Sequence, residues 1–178
     1  MSGISPTKLL IDWLRTAFIA IAIVVFLHYF VFHLSTVEGH SMEPTLQEKE
    51  WLYVNKFVYL FDHPDIGDVV VLKDPYEAED GKRLLVKRVV GVPGDRIEIA
   101  GGHLYRNGDL VNESYTDIEI EGESYGPVVI GQGLYFVMGD NRHERASLDS
   151  RSFGPVHSDW ITGRADFIVW PLKEIKTL

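Results

Sequence analysis

The chain has 178 residues, 46% apolar and 24% charged, which suits one folded domain with a short appendage and excludes wholesale disorder. A net charge of −9 with no basic stripe excludes a nucleic-acid footprint, and the lack of cysteine excludes disulfides and thiolate chemistry. Seven scattered histidines without an HExxH pattern give no metal site, and no motif calls for a cofactor.

Residues 1–15 carry Lys8, Asp12 and Arg15 and read as a short polar-flanked N-terminus. From Thr16 to Leu34 the chain runs TAFIAIAIVVFLHYFVFHL without Asp, Glu, Lys or Arg. As a helix this is about 28 Å long, close to the hydrocarbon thickness of a bilayer. Trp13 and Tyr29 suit its interfaces. A cleaved secretory signal fits less well, because the run is long and exits through His-Leu-Ser-Thr-Val without a small-x-small site. A buried helix of a soluble protein is also disfavoured, since the segment is apolar all round. The expectation is a single-pass anchor over 16–34. Lys8 and Arg15 precede it, which places the N-terminus in the cytoplasm and residues 35–178 outside.

The pattern then changes to period two. Residues 51–54, 68–72, 83–90, 96–99, 103–105, 134–138 and 164–170 read as strands, separated by turn signals such as Val92-Pro93-Gly94-Asp95 and Arg106-Asn107-Gly108-Asp109. Asn107-Gly108 predicts a type I′ hairpin. Asp74–Lys82 and Asn112–Tyr125 are acidic and turn-rich and read as surface excursions. No long amphipathic helix follows the anchor. The fold class is therefore mainly β: an N-terminal transmembrane helix followed by an antiparallel sheet, curled or closed like a barrel to bury its edges.

Three segments carry polar residues where chemistry is possible. Val37–Leu46 (VEGHSMEPTL) sets Ser41 among apolar neighbours just after the anchor. A hydroxyl needs a base, and adjacent His40 is badly placed on an extended segment, where neighbouring side chains diverge. Lys87, in the apolar strand LLVKRVVG, is the alternative: burial makes a lysine ammonium acidic. Alternation puts Leu85, Lys87 and Val89 on one face and Val86, Arg88 and Val90 on the other. Gly139-Asp140-Asn141-Arg142, followed by Ser147-Leu148-Asp149-Ser150-Arg151, is either a solvated turn with an Asp–Arg pair or a fixed loop that positions catalytic groups.

Together GHSMEPTL (39–46), KRVVGVPGD (87–95) and GDNR with SLDSR (139–142, 147–151) resemble the boxes of the bacterial type I signal peptidases, membrane-anchored serine–lysine proteases. IGDVVVL (66–72), LYRNG (104–108) and FGPV (153–156) agree with weaker features of that family. The resemblance implies Ser41 as nucleophile through an acyl-enzyme and Lys87 as general base. It implies Ser147 hydrogen-bonded to the Lys87 amine, with Asp149, Arg151 and Arg88 in a supporting ion-pair network. The Ser41 N–H would be one oxyanion donor, while Gly39 stands where some members carry a second, hydroxyl donor. Val37, Gly39, Met42, Leu46, Leu85 and Val86 would line the substrate site, with pockets small enough for an Ala-x-Ala preference. The peptide would add as a strand between the segments before Ser41 and before Lys87.

The implied partners are secretory preproteins, the lipid bilayer and the protein-export machinery; the implied location is the bacterial plasma membrane. The loop His143-Glu144-Arg145-Ala146 is longer than the usual pattern, and the large extra domain of enterobacterial members is absent, as in Gram-positive forms. Competing readings are an inactive membrane-tethered binding protein, a self-cleaving Ser–Lys protease and a plain structural ectodomain. The apolar helix, where a self-cleaving repressor carries its DNA-binding domain, argues against the second.

Overall fold

A computed structural model describes residues 6–76 and 83–178. The chain opens with helix α1, Pro6–Phe30, whose stretch Thr7–Phe26 is long and apolar enough to cross a membrane and packs none of its surface inside the protein. The helix starts ten residues before the expected anchor, because Lys8, Asp12 and Arg15 interrupt an apolar run without breaking a helix. It also ends earlier. Val31 accepts a hydrogen bond from Lys56 N (2.9 Å), and Phe32–Thr36 form strand β1, of which Phe32–Leu34 were read from sequence as the end of the anchor.

The strands that follow are β2 (Trp51–Asn55), β3 (Val69–Lys73), β4 (Leu84–Gly91), β5 (Arg96–Ala100), β6 (His103–Arg106), β7 (Asp109–Leu110), β8 (Tyr125–Val129), β9 (Leu134–Met138), β10 (Val156–His157), β11 (Ile161–Trp170) and β12 (Lys176–Thr177). The larger sheet runs β1-β2-β11-β3-β4-β9-β10, with β12 also on β11; the smaller runs β7-β6-β5-β8. All the pairings are antiparallel. The strands read from the sequence are present. Strand β8 begins at the end of the presumed acidic excursion, and the Gly126-Pro127 pair inside it hides the pattern. Asn107 (φ 59°) and Gly108 (φ 91°) make the expected left-handed turn between β6 and β7. Beyond α1 the only α-helix among the described residues is the four-residue α2, Ser150–Phe153. Most of the excursion 74–82 lies outside the described residues.

Strand β3 shows why the larger sheet reads as a continuous apolar run. Val69 and Val71 enter one core with Val37, Met42, Leu46, Leu52 and Val54, while Val70 and Leu72 enter another with Leu85, Val89 and Val137. The sheet is covered on both faces, so alternation carries no polar side. A third core, around Val90, Ile97, Leu104, Ile130 and Phe136, joins the two sheets.

Register shifts in β11, between Ile161 and Gly163, Ala165 and Phe167, and Ile168 and Trp170, accompany its pairing with β3 and β2. Such irregularities bend and twist a sheet. Residues 35–39, leading out of β1, and residues 83–87 of β4 come to line the same cavity.

Candidate active site

The segment after β1 is fastened at both ends before it presents Ser41. Val37 N donates to Glu50 O (2.8 Å) and Lys49 N to Val37 O (2.9 Å). Met42 and Leu46 sink into the core beneath, and Leu46 N closes a turn on Met42 O (2.9 Å). Ser41 stands at the head of that turn. From β4, Lys87 reaches it: Nζ lies 2.7 Å from Ser41 Oγ and 2.8 Å from the Val86 carbonyl oxygen.

Lys87 is only 2% exposed. Burial among apolar side chains disfavours its cation and brings its pKa down from 10.5 to about 8, against the opposing pull of Asp149 and Asp140. His40 goes elsewhere. Its Nδ1 is 2.8 Å from Glu43 Oε1, and that hydrogen bond and charge favour the protonated ring, so it has neither the position nor the protonation of a base.

Two of the supporting contacts differ from expectation. Ser147 makes no hydrogen bond to Lys87. Its Oγ is buried without a hydrogen-bond partner. The contacts of Lys87 Nζ are taken by Ser41 and by the carbonyl of its own strand, while Ser147 packs over the α-carbon of Gly139.

Arg88 does not join Asp149 and Arg151. Strand alternation turns it to the other face, where Nε and a terminal nitrogen donate to the two oxygens of Asp140 (2.9 and 2.7 Å). Its third nitrogen donates to Gly67 O (2.7 Å), and the guanidinium covers the Tyr115 ring at 4.2 Å. Asp149 and Arg151 do pair, through Nε (2.9 Å) and a terminal nitrogen (2.8 Å). Burial opposes the Asp149 carboxylate, but the Arg151 hydrogen bonds and charge, with the Gly139 N–H, hold its pKa below the ordinary value. The same carboxylate caps α2 by accepting from Arg151 N (3.2 Å).

The loop 139–142 is not a solvated turn. Asp140 and Arg142 are fully buried. Asp140 also accepts from Thr45 Oγ1 (2.6 Å), and Arg142 forks onto Glu113 at 2.8 and 2.6 Å. Asn141 holds the Ser41 turn directly: its N–H donates to Ser41 O (3.1 Å) and its side chain to His40 O (3.0 Å). A Cβ at Gly139 would overlap both Ser41 O and the Ser147 side chain, so only glycine permits this approach. The partners Thr45, Glu113 and Tyr115 escape sequence reading. The density of Gly, Asp, Asn and Arg at a strand exit was the one available signal.

A cavity of about 650 Å³ opens beside Ser41 and Lys87. Val37, Gly39, Met42, Leu85 and Val86 border it as expected, together with Ser35, Thr36, Glu38, Arg83 and Leu84. Leu46 does not; it is fully buried in the core behind Met42. A Cβ on Gly39 would meet no atom within 4 Å, so the cavity is open there. β9 pairs with β4 only from Arg88 onward, and β1 pairs only with β2 among the described strands. Each wall therefore offers backbone edge to an extended peptide.

Comparison with known proteins places the chain in a family. Residues 10–170 match the family described as signal peptidase, peptidase S26. Signal peptidase I P of Bacillus subtilis subsp. natto is 37% identical over 178 residues, 94% of this chain and 92% of that protein. Signal peptidase I T of Bacillus subtilis (strain 168) is 34% identical, covering 96% of this chain and 90% of the relative. A crystal structure of a signal peptidase I from Enterococcus faecalis V583 aligns with a TM-score of 0.47 at 27% identity, covering 58% of this chain and 97% of that one. With the family match spanning most of its length, the chain belongs to the signal peptidase family, peptidase S26.

Proposed function

We propose that this chain cleaves signal peptides from exported preproteins with Ser41 as nucleophile and Lys87 as general base. Membership of the family makes it a serine peptidase of the signal-peptide-removing class. The single observation that carries the finer reading is the 2.7 Å contact between Ser41 Oγ and a lysine that is buried and easily neutral.

Neutral Lys87 takes the Ser41 proton as Oγ attacks the scissile carbonyl. The Ser41 N–H stabilises the oxyanion that forms. The resulting ammonium returns its proton to the leaving amine, which departs as the new N-terminus and leaves an acyl-enzyme. Lys87 then removes a proton from water, which attacks the ester, and returns it to Ser41 Oγ as the signal peptide leaves. Val37, Met42, Leu85 and Val86 give the cavity an apolar lining suited to small side chains, in keeping with an Ala-x-Ala preference.

α1 serves as the anchor with the N-terminus cytoplasmic, so that the site meets peptides where they leave the bilayer. Exposed Trp51, Phe57 and Phe61 suit apposition to that surface. The lipid bilayer and the export machinery are then its natural surroundings.

The test is cleavage of an Ala-x-Ala preprotein in detergent by wild type, Ser41→Ala and Lys87→Ala. Wild type cuts, and each variant loses at least about a thousandfold in kcat. An inert wild type, or either variant within tenfold of it, overturns the mechanism.

A further inference from the structure

We propose that the cavity where α1 meets the β domain binds the headgroup of an anionic phospholipid. The cavity, about 340 Å³, is lined by His28 in the last turn of α1, His33 and Leu34 of β1, Lys56, Leu84 and Thr162. It lies just past the apolar stretch Thr7–Phe26, at the level where a membrane-spanning helix leaves hydrocarbon for headgroups. The inference rests on the reading of α1 as a membrane span.

The basic groups come from both sides of a junction that Lys56 N fixes by donating to Val31 O (2.9 Å). They act on one another. Burial first, then the charges of Lys56 and His28, disfavour the protonated form of His33, and His33 Nδ1 is buried without a hydrogen-bond partner. No carboxylate lines the cavity among the described residues. An anion placed there relieves this crowding of positive charge.

The apolar part of the wall decides between sources of phosphate. Leu34 and Leu84 are 46% and 40% exposed, and the apolar stretch Thr7–Phe26 of α1 is bare. A phosphodiester with acyl chains meets both the bases and the leucines; a free phosphate meets only the bases.

The experiment uses the full chain in nanodiscs of phosphatidylcholine with increasing phosphatidylglycerol, followed by native mass spectrometry of the lipid retained. Wild type retains phosphatidylglycerol in preference to phosphatidylcholine. Lys56→Gln and, separately, His33→Gln weaken that retention about fivefold, and Lys56→Arg restores it. Equal retention of the two lipids, or no loss in either Gln variant, overturns the site. A second arm adds inorganic phosphate; displacement of the lipid by phosphate alone overturns the lipid assignment. Cleavage in detergent is followed in parallel and stays Ser41-dependent in Lys56→Gln. Loss of lipid preference with cleavage intact therefore removes this site alone, whereas an inert wild type that still retains the lipid removes the proposed protease mechanism alone.

Discussion

At the residue scale the decisive feature is one buried amine. Lys87 with an ordinary pKa would be a poor base at neutral pH; burial lowers that pKa, which suits the role proposed for it. If Lys87 is the base, the rate of cleavage rises with pH through a midpoint near 8 and flattens above it. A rate unchanged down to pH 6 excludes the role. The same burial costs stability. Below about pH 8 the folded and unfolded chains both hold the proton, and the folded state bears the full cost of the buried cation. Between 8 and 10.5 the folded state has released the proton while the unfolded state keeps it, so stability rises with pH; above 10.5 the cost is gone. The shift corresponds to roughly 3 kcal/mol. Lys87→Met is therefore inactive yet melts higher than wild type at pH 7, and the gap narrows by pH 10. Thermal unfolding at the two pH values checks this. Ser41 and Lys87 were legible in the sequence because motif and apolar context coincide at each. The missing Ser147–Lys87 bond was not, because pattern gives neighbourhood but not the direction of a hydroxyl.

At the scale of elements, the loop 139–142 and the segment 112–125 work as one unit. Two arginines, two carboxylates and the Tyr115 ring interlock there: Arg88 with Asp140, Arg142 with Glu113, and Tyr115 against Arg88. Most of 112–125 lies at the surface as read, with Ile120 its one buried residue, but Glu113 does more than face water. Its countercharge, Arg142, sits 29 positions away in the chain. Composition records a charge and cannot record the partner that lets it be buried. The β strands were readable because periodicity is local, whereas this unit is made entirely of long-range pairs. Asp140→Asn leaves Arg88, 7% exposed, without its counter-ion. It should destabilise the chain by about 3–5 kcal/mol, measured by thermal or denaturant unfolding. Asn141→Ala acts differently, since it removes the side-chain bond to His40 O and the one accepted from His143 N, and spares the backbone bond to Ser41 O. Loss of the bond to His40 O should lower kcat by about tenfold, with KM little changed.

At the scale of the whole molecule, the sheet forms a cavity, the proposed substrate groove, from segments that no local pattern joins. Its walls lie far apart in sequence, at 35–39 and 83–87, and they line one cavity because β2, β11 and β3 connect them in a curved sheet. No single stretch of sequence encodes that cavity. The helix α1 leads into β1, so the same strand continues the helix and borders the cavity. An extended peptide in such a groove directs its amides alternately to the two sides. If only β4 supplies hydrogen bonds, N-methylation of substrate amides before the cut should hurt at every second position. If both free edges take part, as the unpaired flanks of β1 and β4 favour, methylation should hurt at successive positions. Each lost bond is worth about 1 kcal/mol, or roughly a fivefold fall in kcat/KM. A series of singly N-methylated peptides therefore reads the groove directly: losses at consecutive positions mean a peptide held between two strands, and losses of strict period two mean a peptide held by one.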